Sequence, residues 1–305
     1  MSMKHLADVT VGHLADAFAD AHPPAKTPGI TPLTVVDSDK SVSFEELARR
    51  IEATRTDHGD ILQQYHEVWY NAPHTWHYTH FLGVGLMKCP NDLWIYQALM
   101  HDFRPQVVIE TGTYTGASAL WFAFLMEMLQ IDGGHIYTVD YEDHRRCNHP
   151  RITFLGGNSV DPLMVQSIAD VLPHEGTRLV SLDSDHSAQH VYDELKLYAP
   201  LCRVGDWLIV EDTNIGWDGG THTVSVVGLY CHCSCGQVFD IPMHNFLHPK
   251  CPMDHGDRGA RGGLEDYLNE HPGEFRQDLL CERYLLTMNP GGWLQRVKEC
   301  NHEAT

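Results

Sequence analysis

Four carboxylates follow two apolar runs of the sequence, at the point where each run ends. Asp183 and Asp185 come directly after one run, and Glu211 and Asp212 come after the next. Both runs are typical of buried parallel strands, whose carboxyl ends meet at one edge of a sheet. Unpaired acids in one crevice raise one another's pKa, and a hard cation with oxygen ligands removes that cost. We therefore predict a Mg²⁺ site of Asp183, Glu211 and Asp212; the alternative is a set of surface or capping acids.

A histidine lies next to these acids in the sequence. His186 is three residues after Asp183, which puts it in or beside the same crevice. An imidazole of near-neutral pKa beside a metal-bound hydroxyl is a suitable general base. The chain has 22 histidines, so any one of them carries less weight than the carboxylate set. We predict His186 as the catalytic base.

Earlier in the chain, a glycine loop joins a predicted strand at residues 107–109 to an apolar helical run. Strand, glycine turn and helix together present backbone N–H groups to a ligand. The spacing of Gly112 and Gly116 is G-x-x-x-G and not the dinucleotide pattern G-x-G-x-x-G. An ordinary structural turn is the alternative. The cofactor-binding residues predicted here are Glu110, Gly112, Thr113, Tyr114, Gly116 and Ser118.

Polar residues also end the next two predicted strands. Asp140 can accept hydrogen bonds from both hydroxyls of a ribose, and Asn158 with Ser159 can bind an adenine edge. Taken singly, a solvated aspartate and a bare turn explain them as well. Glu110 and Asp140 around one glycine loop favour a nucleoside without phosphates, and S-adenosylmethionine fits because its ammonium and sulfonium are cationic. Asp183 belongs to this predicted cofactor set too.

The alternation of strands and helices predicts an α/β fold with a doubly wound, Rossmann-like parallel sheet. The 305 residues have a hydrophobic content of 43%, which is typical of a globular protein. A net charge of −20, from 21 basic and 41 acidic residues, argues against nucleic acid as a partner. No apolar run is long enough to span a membrane and no signal segment is visible, so we expect no membrane partner and a cytoplasmic location.

The first part of the chain differs in composition from the rest. Residues 1–40 contain many Ala, Pro and His with little periodicity, whereas helical patterns begin at Ser43, a predicted N-cap, and break near His58. We predict an N-terminal arm with helices over residues 1–74 and the catalytic domain over residues 75–305. A lid and a subunit contact in a homo-oligomer are two uses for these helices; packing on the sheet edge is the simpler one.

Several co-linear motifs together resemble one family. They are LMKCPNDLWIYQ, VVIETGTYTGASALWFA, LDSDHSAQHVYDELKLYAPL, VEDTNIG and LLTMNPGGWL, and they are similar to the cephalosporin hydroxylase / rhamnosyl O-methyltransferase family over roughly residues 69–217 and 262–297. The resemblance implies a class I S-adenosylmethionine-dependent methyltransferase fold, with Mg²⁺ in several relatives. By resemblance, cofactor positions fall at Glu110, Gly112, Ser118, Asp140 and Ser159, and metal positions at Asp183, Glu211 and Asp212. His186 is similar in placement to the base of Mg²⁺-dependent O-methyltransferases.

An insertion rich in Cys and His, residues 218–261, departs from that family pattern. The segments C-x-C-G and C-P-x-x-H-G within it resemble two metal knuckles. The predicted structural Zn²⁺ ligands are Cys233, Cys235, Cys251 and His255, with Cys231 and His248 as substitutes. The alternative is reduced cysteines in a loop without metal.

These observations predict an S-adenosylmethionine- and Mg²⁺-dependent O-methyltransferase (EC 2.1.1.-) that acts on a small-molecule hydroxyl of a sugar or secondary metabolite. The main alternative is an NAD-dependent oxidoreductase or a natural-product hydroxylase on a similar fold. A zinc-organised binding module on a vestigial sheet is a third reading. The absent dinucleotide pattern argues against the first alternative, and the intact strand-end acids argue against the last.

Overall fold

The computed structural model describes residues 43–72, 75, 78–214, 230–232, 238–240 and 258–298. The chain separates into two compact units, Met1–Glu46 and Leu47–Thr305. In the first unit, the backbone N–H of Glu46 donates to Ser43 Oγ at 3.2 Å, which confirms the predicted N-cap. The second unit contains the sheet and every candidate site residue that the structure describes.

Two helices open the described chain, and a short hairpin follows them. Helix α1 covers Phe44–Asp57 and α2 covers Gly59–Asn71, so the predicted break lies at His58. Strands β1, His80–Phe81, and β2, Val84–Gly85, pair antiparallel. These elements lead to helix α3, Pro90–Phe103.

A seven-stranded sheet forms the centre of the second unit, in the order β10-β11-β7-β6-β3-β4-β5. The bounds of its parallel strands are β3, Val107–Thr111; β4, His135–Asp140; β5, Ile152–Gly156; β6, Arg178–Leu182; and β7, Trp207–Val210. The connecting helices are α4, Ala117–Met128; α5, Pro162–Val171; and α6, Ala188–Tyr198. The chain winds outward from β3 through β4 to β5, then returns to β6 on the other side of β3. The doubly wound α/β fold is therefore confirmed, and β3 and β6 flank its topological switch point, where such sheets bind ligands.

The last part of the described chain contains a separate hairpin and two antiparallel strands that extend the sheet beyond β7. A hairpin of β8, Tyr230–His232, and β9, Val238–Asp240, comes first. Helix α7, Gly259–Glu270, then precedes β10, Phe275–Gln277, and β11, Trp293–Arg296, which pairs antiparallel with β7. The two antiparallel edge strands were not predicted from the sequence.

Alternate residues of the strands face two separate apolar cores. Val108 of β3 lies in the core that contains Tyr96 and Phe122, from α3 and α4. Ile109, the next residue, lies in the core formed with α5, α6 and α7, which includes Leu195. Both strand faces are buried, as expected for a parallel sheet covered by helices. With both faces covered, the carboxyl ends of the strands are the expected place for a ligand.

Candidate active site

A cleft of about 670 Å³ opens at the carboxyl ends of the parallel strands. Eight residues predicted from the sequence line it: Gly112, Tyr114, Asp140, Asn158, Ser159, Asp183, His186 and Asp212. They come from all five parallel strands or the loops that follow them. The topology therefore brings together residues that are far apart in the sequence.

The glycine loop packs directly against the end of β6. Gly112 has a φ of +84°, and a Cβ on it would lie 1.8 Å from the carbonyl oxygen of Asp183. Only glycine fits such an approach without moving the backbone. The Gly112 N–H donates to the Val139 carbonyl at 2.8 Å, which ties the loop to β4. The loop is thereby held between the two strands that flank β3.

Asp140 holds the next part of this loop. One carboxylate oxygen accepts from the Tyr114 backbone N–H at 2.6 Å, and the other accepts from the Glu142 backbone N–H at 3.2 Å. Each carboxylate oxygen can accept more than one hydrogen bond. Asp140 therefore fixes Tyr114, which has a positive φ of 44°, and still has acceptor capacity on the cleft side.

Four of the predicted cofactor residues do not line the main cleft. Glu110 and Ser118 are buried on either side of the glycine loop in the sequence, and Gly116 ends that loop. Thr113 lines a smaller neighbouring cavity. Gly116 packs on Cys147 and Phe154, where a Cβ would come within 3.0 Å of the Cys147 sulfur. These positions shape the loop from beneath.

Glu110 differs from the prediction because β3 runs one residue beyond it, to Thr111. Its side chain is therefore on a covered sheet face and fully buried. Thr138 Oγ1 donates to its carboxylate at 2.6 Å, and Thr113 donates in turn to Thr138 at 2.7 Å. Burial raises the pKa of Glu110 to about 7, against the opposing effects of Lys88 and two hydroxyl hydrogen bonds.

Asp183, His186 and Asp212 converge at the other side of the cleft. Their ligand atoms all lie within 4.8 Å of one another. His186 Nε2 is 3.5 Å from Asp183 Oδ1, and Nδ1 is 3.3 Å from Asp212 Oδ2. Burial lowers the pKa of His186, but Asp212, Asp183 and Asp185 outweigh it and raise that pKa to about 9. The imidazole is thus held as a cation between two aspartates.

The pKa values of Asp183 and Asp212 shift in opposite directions. Burial raises the pKa of Asp183, but Lys88 and His186 outweigh it, so the pKa lies below its usual value. Burial raises the pKa of Asp212 to about 6, although His186 opposes that shift. Asp212 also has a positive φ of 52°, rare for a residue other than glycine. Such strain at a strand end is common where a side chain must be aimed at a ligand.

Glu211 differs from the predicted metal set because both of its oxygens are engaged beneath the cleft. Oε1 contacts Lys88 Nζ at 2.8 Å and accepts from the Tyr96 hydroxyl, while Oε2 accepts from Asn289 Nδ2 at 2.8 Å. Glu211 is 4% exposed and does not line the cleft. His186, which was predicted as the base, lies beside Asp183 and Asp212 in the position that was predicted for Glu211.

Lys88 lies beneath the cleft and was not predicted from the sequence as part of the site. It is 5% exposed, and its ammonium group bridges Glu211 and Asp183, the second at 2.9 Å. Burial lowers its pKa, but the carboxylates outweigh that effect and keep Lys88 charged. The signal available was its position in LMKCPNDLW, two residues before the start of α3. A buried lysine in an acidic chain requires a carboxylate partner, but the sequence does not show which.

The end of α2 lies beside the part of the cleft that contains Asp212. His66 Nε2 lies 3.4 Å from Asn214 Nδ2, two residues after Asp212. Trp69 and Tyr70 pack against the buried Cys89, Leu286 and Met288. Burial raises the pKa of Tyr70, and the charge of Asp212 adds to this. Of the uses considered for the N-terminal helices, the structure shows α2 packed beside the loop that follows β7.

The predicted zinc ligands Cys233, Cys235, Cys251 and His255 lie outside the described residues, as do most residues of the 218–261 insertion. No helix among the described residues has the length and apolar character needed to cross a membrane.

Residues 73–221 match the family described as Rhamnosyl O-methyltransferase/CmcI. The rhamnosyl O-methyltransferases of Mycobacterium bovis and Mycobacterium tuberculosis are each 35% identical over 163 residues, 51% of this chain and 64% of the relative. That of Mycobacterium leprae is 29% identical over 245 residues, 77% of this chain and 90% of the relative. These matches agree with the family expected from the motifs.

A solved structure described as "CmcI-N160 apo-structure" has a similar fold. It superposes with a TM-score of 0.50 at 18% identity, over 76% of this chain and 84% of that chain. At that identity the likeness shows the fold alone. The chain spans less than two thirds of the length of the Mycobacterium bovis and Mycobacterium tuberculosis relatives, at 64%.

Proposed function

We propose that this chain, which resembles the Rhamnosyl O-methyltransferase/CmcI family, is an S-adenosylmethionine-dependent O-methyltransferase that requires Mg²⁺. One observation carries the proposal: Asp183, His186 and Asp212 meet within 4.8 Å in the same cleft as the glycine loop and Asp140. A metal-ligating group beside a nucleoside-binding wall is what methyl transfer to a hydroxyl needs.

The cofactor side of the cleft offers the groups that S-adenosylmethionine requires. The loop at Gly112 allows close approach of the amino-acid part, and Asp140 accepts from the ribose hydroxyls. Asn158 and Ser159, after β5, lie where an adenine edge is expected. These assignments follow the order of strand ends along the sheet.

The metal side fits a divalent cation through its donors and its charge. Two aspartate oxygens suit Mg²⁺, and the buried His186 Nε2 makes no hydrogen bond within the described part of the chain. A bound Mg²⁺ would hold the acceptor hydroxyl and lower its pKa. Asp183 and Asp212 would hold the ion, while Glu211 and Lys88 set the position of Asp183 from beneath.

His186 acts as the base once the aspartates are committed to a cation. Their charge would then no longer favour the imidazolium form as it does in the chain without an ion, and the ring would be free to accept a proton. The neutral ring can accept the proton of the acceptor hydroxyl, whose oxygen attacks the methyl group in line.

The acceptor is a hydroxyl of a sugar or a secondary metabolite. The named relatives are rhamnosyl O-methyltransferases, which makes a deoxyhexose glycoside the first acceptor class to test. Three aspartates and two histidines line the open part of the cleft beyond the glycine loop. Such a polar wall suits a substrate rich in hydroxyl groups.

The test is methyl transfer from labelled S-adenosylmethionine to a panel of rhamnosides and phenolic acceptors, read by mass spectrometry. EDTA should abolish product formation and Mg²⁺ should restore it. Asp212→Asn should keep cofactor binding and lose the Mg²⁺ response. His186→Ala should lower turnover by roughly 10²–10⁴.

Two results would contradict parts of this proposal. Full activity after exhaustive chelation would remove the metal role, and a loss of less than tenfold in His186→Ala would remove the base role. Failure of the wild-type protein to bind S-adenosylmethionine would overturn the assignment itself. Asp170→Asn is the matched control, because Asp170 is exposed on α5, does not line the cleft and accepts from Gln166 Nε2.

A further inference from the structure

Four polar side chains form a connected group along one wall of the cleft. Ser159, Ser184 and His190 line it, and Glu194 lies fully buried behind them. His190 Nε2 is 3.0 Å from Ser184 Oγ and 3.1 Å from Ser159 Oγ. Ser184 Oγ donates to Glu194 Oε1 at 2.6 Å. The group therefore runs from a buried carboxylate to the cleft surface.

The direction of the hydrogen bonds in this group is determined at its buried end. Ser184 has one hydroxyl proton, and the bond to Glu194 uses it. Ser184 Oγ can therefore only accept from His190, which requires a proton on Nε2. A protonated Nε2 cannot accept from Ser159, so it donates to that hydroxyl oxygen too. The Ser159 proton is left directed away from the histidine, where its acceptors are Ser184 Oγ at 3.4 Å and any ligand in the cleft.

The charge on Glu194 supports this direction. Burial lowers the pKa of His190, but the hydrogen bond and charge of Glu194 outweigh it and raise that pKa. Glu194 Oε2 makes no hydrogen bond to any described residue. The carboxylate is therefore supported mainly through Oε1, by Ser184 and by His190 Nε2 at 3.6 Å.

We propose that Glu194, Ser184 and His190 are positioning residues that fix the Ser159 hydroxyl as a hydrogen-bond donor to one ring nitrogen of the cofactor's adenine. Adenine offers acceptor nitrogens at three ring positions, whereas its exocyclic amine donates. A hydroxyl whose proton is directed into the cleft therefore selects a ring nitrogen over the amine. This inference rests on the proposed function, because it requires S-adenosylmethionine or its demethylated product in the cleft.

The first experiment pairs a protein change with a ligand change. Binding of S-adenosylhomocysteine and its 1-deaza, 3-deaza and 7-deaza analogues is measured by calorimetry on the wild type and on Ser159→Ala. We expect Ser159→Ala to weaken binding of the natural ligand by about 3- to 10-fold. On the wild type, one analogue should bind about 3- to 10-fold more weakly than S-adenosylhomocysteine. On Ser159→Ala, that analogue and S-adenosylhomocysteine should bind equally, because both partners belong to one hydrogen bond.

The second experiment tests the relay behind Ser159. Glu194→Leu removes the acceptor that fixes Ser184, and His190→Ala removes the donor to Ser159, so each should reduce discrimination against that analogue. Glu194→Gln keeps a carbonyl that accepts from Ser184, so it should retain most of the discrimination. Gln189→Ala is the matched control, because Gln189 is the exposed neighbour on α6 and pairs with Asp193.

The outcomes separate this inference from the proposed function. If the wild type does not bind S-adenosylhomocysteine, the proposed function fails. If it binds and Ser159→Ala weakens every analogue equally, Ser159 has only a packing role and the inference is overturned. Melting temperatures identify any variant that misfolds; if Glu194→Leu does, His190→Ala decides. Unchanged discrimination in a folded His190→Ala protein also overturns the inference.

Discussion

At the scale of single residues, Asp140 illustrates how one side chain combines a structural and a binding role. Its oxygens fix the Tyr114 and Glu142 backbone at 2.6 and 3.2 Å. In the proposed enzyme the same carboxylate accepts from the ribose. Asp140→Ala should weaken S-adenosylmethionine binding by about 1–3 kcal/mol, because charge-assisted hydrogen bonds are lost. Calorimetry on the purified variant measures this loss.

Two further variants separate the roles of Asp140. Asp140→Asn keeps an oxygen that accepts from Tyr114 but removes the charge, so it should lose part of the affinity with the loop intact. Glu142→Ala is the control, because the exposed carboxylate of Glu142 pairs only with His144 among the described contacts. Unchanged affinity in a folded Asp140→Ala protein would make Asp140 only a strand terminus.

The sequence placed at the cleft those residues that follow strands, and their cofactor and metal roles stay predictions. Asp140, Asp183 and Asp212 were found because an acid after an apolar run lies at the open edge of a parallel sheet. Glu211 and Glu110 could not be separated from them, since one residue of strand length decides which face a side chain occupies. Lys88 lies 95 residues before Asp183, and no local pattern encodes that contact.

At the scale of elements, the glycine loop offers a matched pair of substitutions. Gly112 and Gly83 have nearly equal φ values of +84° and +83°, but a Cβ on Gly83 would meet nothing within 4 Å. Gly83→Ala should cost about 1–2 kcal/mol from the left-handed backbone alone. Gly112→Ala adds an overlap with the Asp183 carbonyl, so it should cost at least about 3 kcal/mol.

Denaturant unfolding and cofactor binding together measure this pair. Gly112→Ala should also lose cofactor affinity, because the loop must move off β6 to fit the methyl group. Gly83→Ala should keep that affinity. Equal losses of stability in the two variants would show that the loop and β6 are not in the contact described above.

Helix α2 gives the protein a pH-dependent stability through His66. Burial lowers the pKa of His66 from 6.5 to about 4, and the side chain is 5% exposed. Between pH 6.5 and pH 4, His66 binds a proton in the unfolded chain but stays neutral in the folded chain. The free energy of unfolding therefore falls as the pH drops through 6.5 toward 4, by about 2 kcal/mol at pH 5.

The His66→Gln variant tests this dependence because glutamine does not titrate. The difference in unfolding free energy between wild type and variant should shrink by about 2 kcal/mol from pH 7.5 to pH 5. His101→Gln, a change at an exposed histidine, should follow the wild type. A constant difference between wild type and His66→Gln across this range would contradict the buried, neutral state of His66.

Elements with strong apolar runs or helical periodicity were predicted well, and the short antiparallel strands were not. The three central parallel strands β3, β6 and β7 are buried at every position, so each contains a strong apolar run. Strand β10 has one buried residue in three, and β11 follows a proline–glycine turn in LLTMNPGGWL. Neither gives a distinct periodicity. The contact between α2 and the loop after β7 depends on tertiary packing that no local pattern specifies.

At the scale of the whole molecule, the strand order explains why one cleft collects the site. The chain reverses its winding direction at β3, so the loops after β3 and β6 part and leave room for a ligand. The acidic groups gathered there are compensated by Lys88 below and by His186 at the surface. The domain boundary at residue 75, the cytoplasmic location and a homo-oligomer stay predictions.

The 218–261 insertion should add a second metal to the molecule. Strands β8 and β9 pair with Cys231 opposite Phe239, and Cys233 and Cys235 follow β8 in the sequence. A short polar segment has little core, and Zn²⁺ bound by two knuckles would supply much of its folding free energy. Metal analysis should find about one zinc per chain, retained through EDTA treatment mild enough to strip Mg²⁺.

Substitution of the knuckle cysteines tests that zinc site. Cys235→Ser or Cys251→Ser should lose the zinc and make the insertion protease-sensitive, while circular dichroism shows the sheet still folded. The Cys231→Ser variant examines the alternative pairing: zinc retained there and lost in the other two supports Cys233, Cys235, Cys251 and His255 as ligands. Because thiolates bound to zinc react slowly, the clustered cysteines should resist alkylation until the metal is removed. Protein purified without chelators that contains no zinc, with all clustered thiols freely reactive, would contradict the site.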